Sequence, residues 1–92
     1  MKKPIDLYVA RKELYRAIQS GELSLSDSVQ RLRRLVGKTQ PQFAELVGVA
    51  HRTLLDLERE KGNPTLETLV KIGRPFGLSI GFRIAGRETK DE

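Results

Sequence analysis

Between Thr39 and Glu58 two short apolar-periodic stretches meet at one glycine, and no other segment of this 92-residue chain leaves so few ways to fold. Thr39 followed three residues on by Gln42 is a capping-box pair, so a helix is expected to begin there. Pro41 suits its first turn, where a missing N–H deprives no helical acceptor. Phe43, Ala44, Leu46 and Val47 then recur at helical spacing and are expected to point inward. Gly48 ends the run, and a second helix from about Ala50 to Arg59 carries Leu54 and Leu57 as its buried pair. A connection this short commonly needs a positive φ, which glycine adopts without strain, and Ala44 is small where the two helices must nearly touch.

The flanking sequence has the same helical period until its last fifth. Leu7, Ala10, Leu14, Ala17 and Ile18 form a stripe between Pro4 and Ser20, stopped by Gly21. Ser24 or Ser26 can cap a further helix with the stripe Leu25, Val29, Leu32, Leu35 and Val36, ended by Gly37. After the turn formers of residues 60–64, Thr65 is expected to cap a fifth helix bearing Leu66, Leu69, Val70 and Phe76, ended or kinked at Pro75. The period then becomes two: Leu78, Ile80, Phe82 and Ile84 alternate with Ser79, Gly81 and Arg83. A lone strand exposes a row of N–H and C=O groups, and the cheapest partner is the same strand of another copy, antiparallel about a two-fold axis. Gly81 would let the two backbones approach closely.

The expected fold is therefore mainly α, five helices with one C-terminal β-strand pairing across a two-fold dimer. Its organisation reads as an N-terminal helical extension over 1–22, a helical domain over 23–76, a dimerisation strand over 77–85 and a polar tail over 86–92.

Composition narrows the function. Seventeen Lys and Arg against twelve Asp and Glu give a net charge of +5, which favours a polyanionic partner. The absence of cysteine removes disulfides, thiolate nucleophiles and Cys-based zinc sites, and with a single histidine neither a metal site nor a cofactor is expected. His51 has no Ser, Cys or paired carboxylate at a useful spacing, so no enzyme is expected either. The apolar runs are far shorter than the ~20 residues that span a bilayer, and the start does not lead into a signal peptide, so no membrane partner and a cytoplasmic location are expected.

Thr39-Gln40, Ala44, Gly48-Val49 and Glu58 agree in register with the lambda-repressor-like, or XRE, helix-turn-helix family, and the chain resembles that family most strongly over residues 26–72. The resemblance implies a helical bundle that lays the helix after Gly48 into the major groove of double-stranded DNA. It implies base-facing roles for His51, Arg52 and Asp56, with Thr53 close behind, and a phosphate-clamping role for Gln40 at the positive end of its helix. Arg52 is the best candidate for bidentate reading of guanine. Arg59 and Lys61 follow the recognition helix, where they can hold the phosphate backbone. Ala50 departs from the family's usual Ser or Thr cap, and Leu55 from a usual polar residue. Glu58 reads as structural. Arg31, Arg33 and Arg34 fit either phosphate contact or a solvated face.

The turn Asn63-Pro64-Thr65-Leu66, one helix and a closing strand after Gly77-Leu78 are similar to the HipB group of that family. That likeness implies a dimer joined by Leu78, Ile80, Phe82 and Ile84. The function expected is a sequence-specific repressor that binds a palindromic operator as a homodimer and regulates its own expression. The alternative is a HipB-like antitoxin that also binds and neutralises a kinase-like toxin.

Overall fold

Four of the five helices in the computed structural model, which describes residues 6–84, begin at a side chain that satisfies a free N–H of the first turn. Asp6 accepts from Tyr8 and Val9 to start α1 (Leu7–Ser20), and Ser24 from Asp27 to start α2 (Leu25–Leu35). Thr39 and Gln42 form the expected capping box at α3 (Gln40–Val47), and Thr65 accepts from Thr68 at α5 (Leu66–Gly73). The exception is α4 (His51–Glu58), whose cap position Ala50 has no side-chain bond to offer. A 3₁₀ turn, Arg74–Phe76, follows α5 at Pro75, where the ring cannot continue the helical hydrogen bonding.

Every helix contributes to one core. Leu14 and Ala17 come from α1, Val29 and Leu32 from α2, Phe43, Ala44 and Val47 from α3, Leu54 and Leu57 from α4, and Ile72 from α5, with Phe76 closing the bottom. Phe43 and Leu54, on either side of the Gly48 turn, are wholly buried. The Phe43 and Phe76 rings lie 6.1 Å apart at a 33° tilt, within the range of favourable aromatic pairs. Tyr15 Oη donates to the Phe76 carbonyl at 2.7 Å and so ties α1 to the 3₁₀ turn that follows α5.

Five residues expected on buried stripes are exposed: Leu7, Leu25, Val36, Leu46 and Leu66. Leu7, Leu25 and Leu66 are each the first residue of their helix, Val36 follows the last of α2, and Leu46 is next to last in α3. A periodic stripe is buried only where a neighbouring element covers it, and the ends of short helices extend past that cover.

The expected strand over 77–85 is not formed among the described residues, and residue 85, like residues 1–5 and the tail 86–92, lies outside them. Gly77 turns the chain at φ 71°, and the Leu78 N–H donates back to the Gly73 carbonyl at 3.0 Å. Gly73 is buried against this turn, where a Cβ would stand 3.1 Å from the Leu78 oxygen. From Ser79 to Ile84 the chain has no regular hydrogen bonding. A strand is held by its ladder, and the described residues offer no second extended segment to supply one. No helix among the described residues is long and apolar enough to cross a membrane.

Candidate nucleic-acid interface

The α3–α4 turn is built on the Ala44 carbonyl, which accepts from the Gly48 N–H at 2.9 Å and the Val49 N–H at 3.0 Å. Gly48 sits at φ 82°, and a Cβ there would meet no atom within 4 Å, so the demand on this position is conformational and not steric. Ala44 is buried, in the same core cluster as Leu54 and Leu57 of α4.

One carboxylate fixes the orientation of α4. Glu58, its last residue, is 7% exposed and lies between three elements. The Arg33 guanidinium on α2 grips it with two parallel bonds, Nε to Oε2 at 2.8 Å and Nη2 to Oε1 at 3.1 Å, and Gln40 Nε2 on α3 donates to Oε1 at 3.0 Å. The Glu58 backbone carbonyl, a free acceptor at the helix end, takes the Ser26 hydroxyl at 2.8 Å and the Gln30 amide at 2.9 Å. Burial pushes the Glu58 carboxyl up, but hydrogen bonds from Arg33 and Gln40 and the charges of Arg33 and Arg34 outweigh it and hold the pKa below the ordinary value. A bidentate Arg–carboxylate pair constrains angle as well as distance, so α4 is set rigidly on α2 and α3.

This clamp leaves the first turn of α4 outward. His51 and Arg52 are exposed, and Thr53, Leu55 and Asp56 are half-buried. Arg52 Nε lies 3.4 Å from Asp56 Oδ1, one turn along, while the Arg52 side chain stays 82% exposed. Arg59 and Lys61 are exposed beyond the helix end. There Lys61 N–H donates to the Asp56 carbonyl at 2.7 Å and Glu60 N–H to Leu57 at 3.1 Å, with Glu60 in the left-handed region at φ 60°. Gln40 is half-buried at the start of α3 on the same side as the Glu58 carboxylate. The structure thus gathers Gln40, His51, Arg52, Thr53, Asp56, Arg59 and Lys61 around one helix and its flanks. It divides the four expected dimer residues: Leu78 packs against the core, while Ile80, Phe82 and Ile84 are exposed.

A helix-turn-helix family model matches residues 29–82. The chain belongs to the helix-turn-helix family. Among its relatives, the cryptic phage CTXphi transcriptional repressor RstR of Vibrio cholerae is 31% identical over 70 residues, covering 76% of this chain and 62% of the relative. The transcriptional regulator PuuR of Escherichia coli K12 is 33% identical over 61 residues, 66% of this chain and 33% of PuuR. The immunity repressor protein of Bacillus phage phi105 is 30% identical over 67 residues, 73% of this chain and 46% of that protein. The chain therefore spans less than two thirds of the length of each. No solved structure matches it at a significant level.

In the helix-turn-helix frame α3 and α4 are the paired helices, and the clamp on Glu58 is what sequence reasoning missed. Arg33 reads in the sequence as one of three surface arginines, yet its side chain is 16% exposed and committed to Glu58. Ser26, an alternative cap by sequence, is buried and serves α4. The available signal was Glu58 itself: an acid one position past buried Leu57 demands a cation, and α2 offers three around Leu32, Arg31, Arg33 and Arg34.

Proposed function

We propose that this chain is a sequence-specific DNA-binding transcriptional repressor that acts as a homodimer on a palindromic operator and regulates its own expression. The observation that carries this reading is the Glu58 clamp, which fixes α4 while leaving His51, Arg52, Thr53 and Asp56 accessible along one edge. Arg52, whose side chain is exposed, suits the paired acceptors of guanine in the major groove. Arg59 and Lys61 suit phosphates beside it, and Gln40 suits the same backbone at the start of α3. The relatives named as repressors, and the net charge of +5, support the same reading.

The dimer is proposed to form through residues 78–84, where Ile80, Phe82 and Ile84 leave a row of apolar side chains uncovered next to unpaired backbone. That pairing would place two recognition helices on successive major grooves, about 34 Å apart. The antitoxin reading keeps all of this DNA chemistry and adds a toxin on the same exposed row; co-purification with the product of an adjacent gene separates it from the stand-alone repressor.

Selection of binding sites from random duplex DNA, followed by titration of the selected site at two salt concentrations, tests the reading. A palindromic site with half-sites about one turn apart and an affinity falling steeply with salt is the expected result. The absence of any enriched sequence would overturn it.

A further inference from the structure

A groove of about 610 Å³ runs between α1 and α2, on the side of α2 that carries Arg31 and Arg34 and not on the exposed edge of α4. Its floor is apolar, formed by Leu7, Ala10, Leu14, Leu23 and Leu35. Its two rims differ in charge. On the α1 rim Arg16 is neutralised twice, with Nη2 2.6 Å from Glu13 and Nη1 2.8 Å from Glu22, so this side is net negative. On the α2 rim Arg31 and Arg34 stand three residues apart on one helix face, exposed, with no carboxylate partner among the described residues. Like charges at that spacing repel, and an anion between them relieves the repulsion.

We propose that this groove binds a free small-molecule amphiphilic carboxylate, with its apolar body on the Leu7–Leu35 floor and its head on Arg31 and Arg34. The volume falls within the ~300–1,000 Å³ of small-molecule sites, and an apolar lining with a few convergent polar groups is their usual chemistry. Two guanidinium forks suit a carboxylate, and the Glu13–Glu22 rim turns the head away from α1. The groove is also coupled to α4: the helix that bears Arg31 and Arg34 bears Ser26, Gln30 and Arg33, three of the four side chains that hold Glu58. A ligand that separates α1 from α2 acts on that clamp, and by linkage changes DNA affinity. This regulatory half rests on the DNA-binding reading; the site itself does not.

The test is backbone-amide NMR of the full chain titrated with octanoate, beside its uncharged counterpart 1-octanol. Saturable shifts confined to α1, residues 22–23 and the second half of α2 are expected, with affinity at least about tenfold weaker for 1-octanol and for the R31Q/R34Q double variant. No response overturns the site. So do shifts centred on Phe82 and Ile84, or equal affinity in the double variant, each of which marks generic apolar adsorption. DNA affinity is then measured with and without saturating octanoate. A change of about fivefold or more supports the coupling, and an unchanged affinity removes it while leaving the site. Octanoate binding in a protein that binds no DNA would refute the repressor reading alone.

Discussion

Glu58→Gln isolates the charge at the centre of the clamp while keeping its shape. In the native protein the Arg33 guanidinium, 16% exposed, faces a carboxylate that is 4% exposed. The substitution leaves that cation with only neutral acceptors, the glutamine oxygen and the Lys38 carbonyl that Nη1 already reaches at 3.1 Å, and turns an amide N–H toward one of its donors. Removing one partner of a buried pair costs about 3–5 kcal/mol. Arg33 retains some water and the glutamine keeps one oxygen, so about 2–3 kcal/mol is expected here. For a domain of this size that is roughly 10–20 °C in Tm, read by circular dichroism at pH 7. The paired change Arg33→Met with Glu58→Leu should recover most of the loss, because apolar residues of similar volume replace a buried ion pair at little cost. A loss under about 0.5 kcal/mol for Glu58→Gln would refute the reasoning, since that is the value of a screened surface pair.

The same carboxylate sets a pH dependence. Burial raises its pKa, but hydrogen bonds from Arg33 and Gln40 and the charges of Arg33 and Arg34 prevail, so the folded value lies below the ordinary 4.5. The unfolded chain then binds the proton more readily. The stabilisation is therefore complete above about pH 4.5 and is lost as pH falls through the folded pKa. Glu13 and Glu22, both lowered by hydrogen bonds from Arg16, titrate in the same window. They do so equally in wild type and Glu58→Gln, so the difference between the two stability curves reports Glu58. That difference should shrink below pH 4.5; a constant difference down to pH 2 would contradict the assignment.

Four further outcomes are expected. Ala50→Ser supplies the missing cap of α4 and should stabilise by ~1 kcal/mol in chemical denaturation, with no gain if the first turn is already satisfied by water. Glu60→Gly relieves a left-handed φ of 60° and should stabilise by about 0.5–1 kcal/mol in the same assay. Arg52→Ala should weaken binding to the selected operator by ~1–3 kcal/mol and relax preference at one base pair, whereas equal weakening on every sequence would move Arg52 to the phosphate contacts. Phe82→Asp with Ile84→Asp should yield monomers in sedimentation velocity without loss of Tm beyond that of dissociation, since neither side chain touches the core; an intact dimer would place the interface elsewhere.

Much of the fold was legible because its signals are local. Ser24, Thr39, Thr65, Gly21 and Gly48 each act on backbone atoms within four residues, and each stands where the sequence placed it. The failures fall where the outcome depends on a distant surface. Leu25 and Leu66 have the spacing of buried residues, but no pattern within a helix reveals where its neighbour's cover ends. The alternation from Leu78 to Ile84 is a real property of the sequence, yet a strand requires a second segment, and alternation alone cannot form one.

The candidate site divides along the same line. Ala44 and Gly48 were readable because the turn geometry restricts each residue type, and the family resemblance that Gln40 and Glu58 complete implied an outward edge of α4 bearing His51 and Arg52, which are exposed. What holds that edge in place was not readable, because Glu58 could have been satisfied by any of the cations on α2. Arg31, Arg33 and Arg34 are interchangeable as letters, but on a helix they point roughly 100° apart from one residue to the next. Only the angle through which α2 is rotated about its own axis decides that Arg33 meets Glu58 and that Arg31 and Arg34 line the groove behind it. That angle is a product of the packed core, so the division of labour among three adjacent arginines is a tertiary fact. A shift of α2 by one residue would exchange the clamp for a surface charge, which is why the ligand-sensitive side of this helix and its structural side cannot move independently.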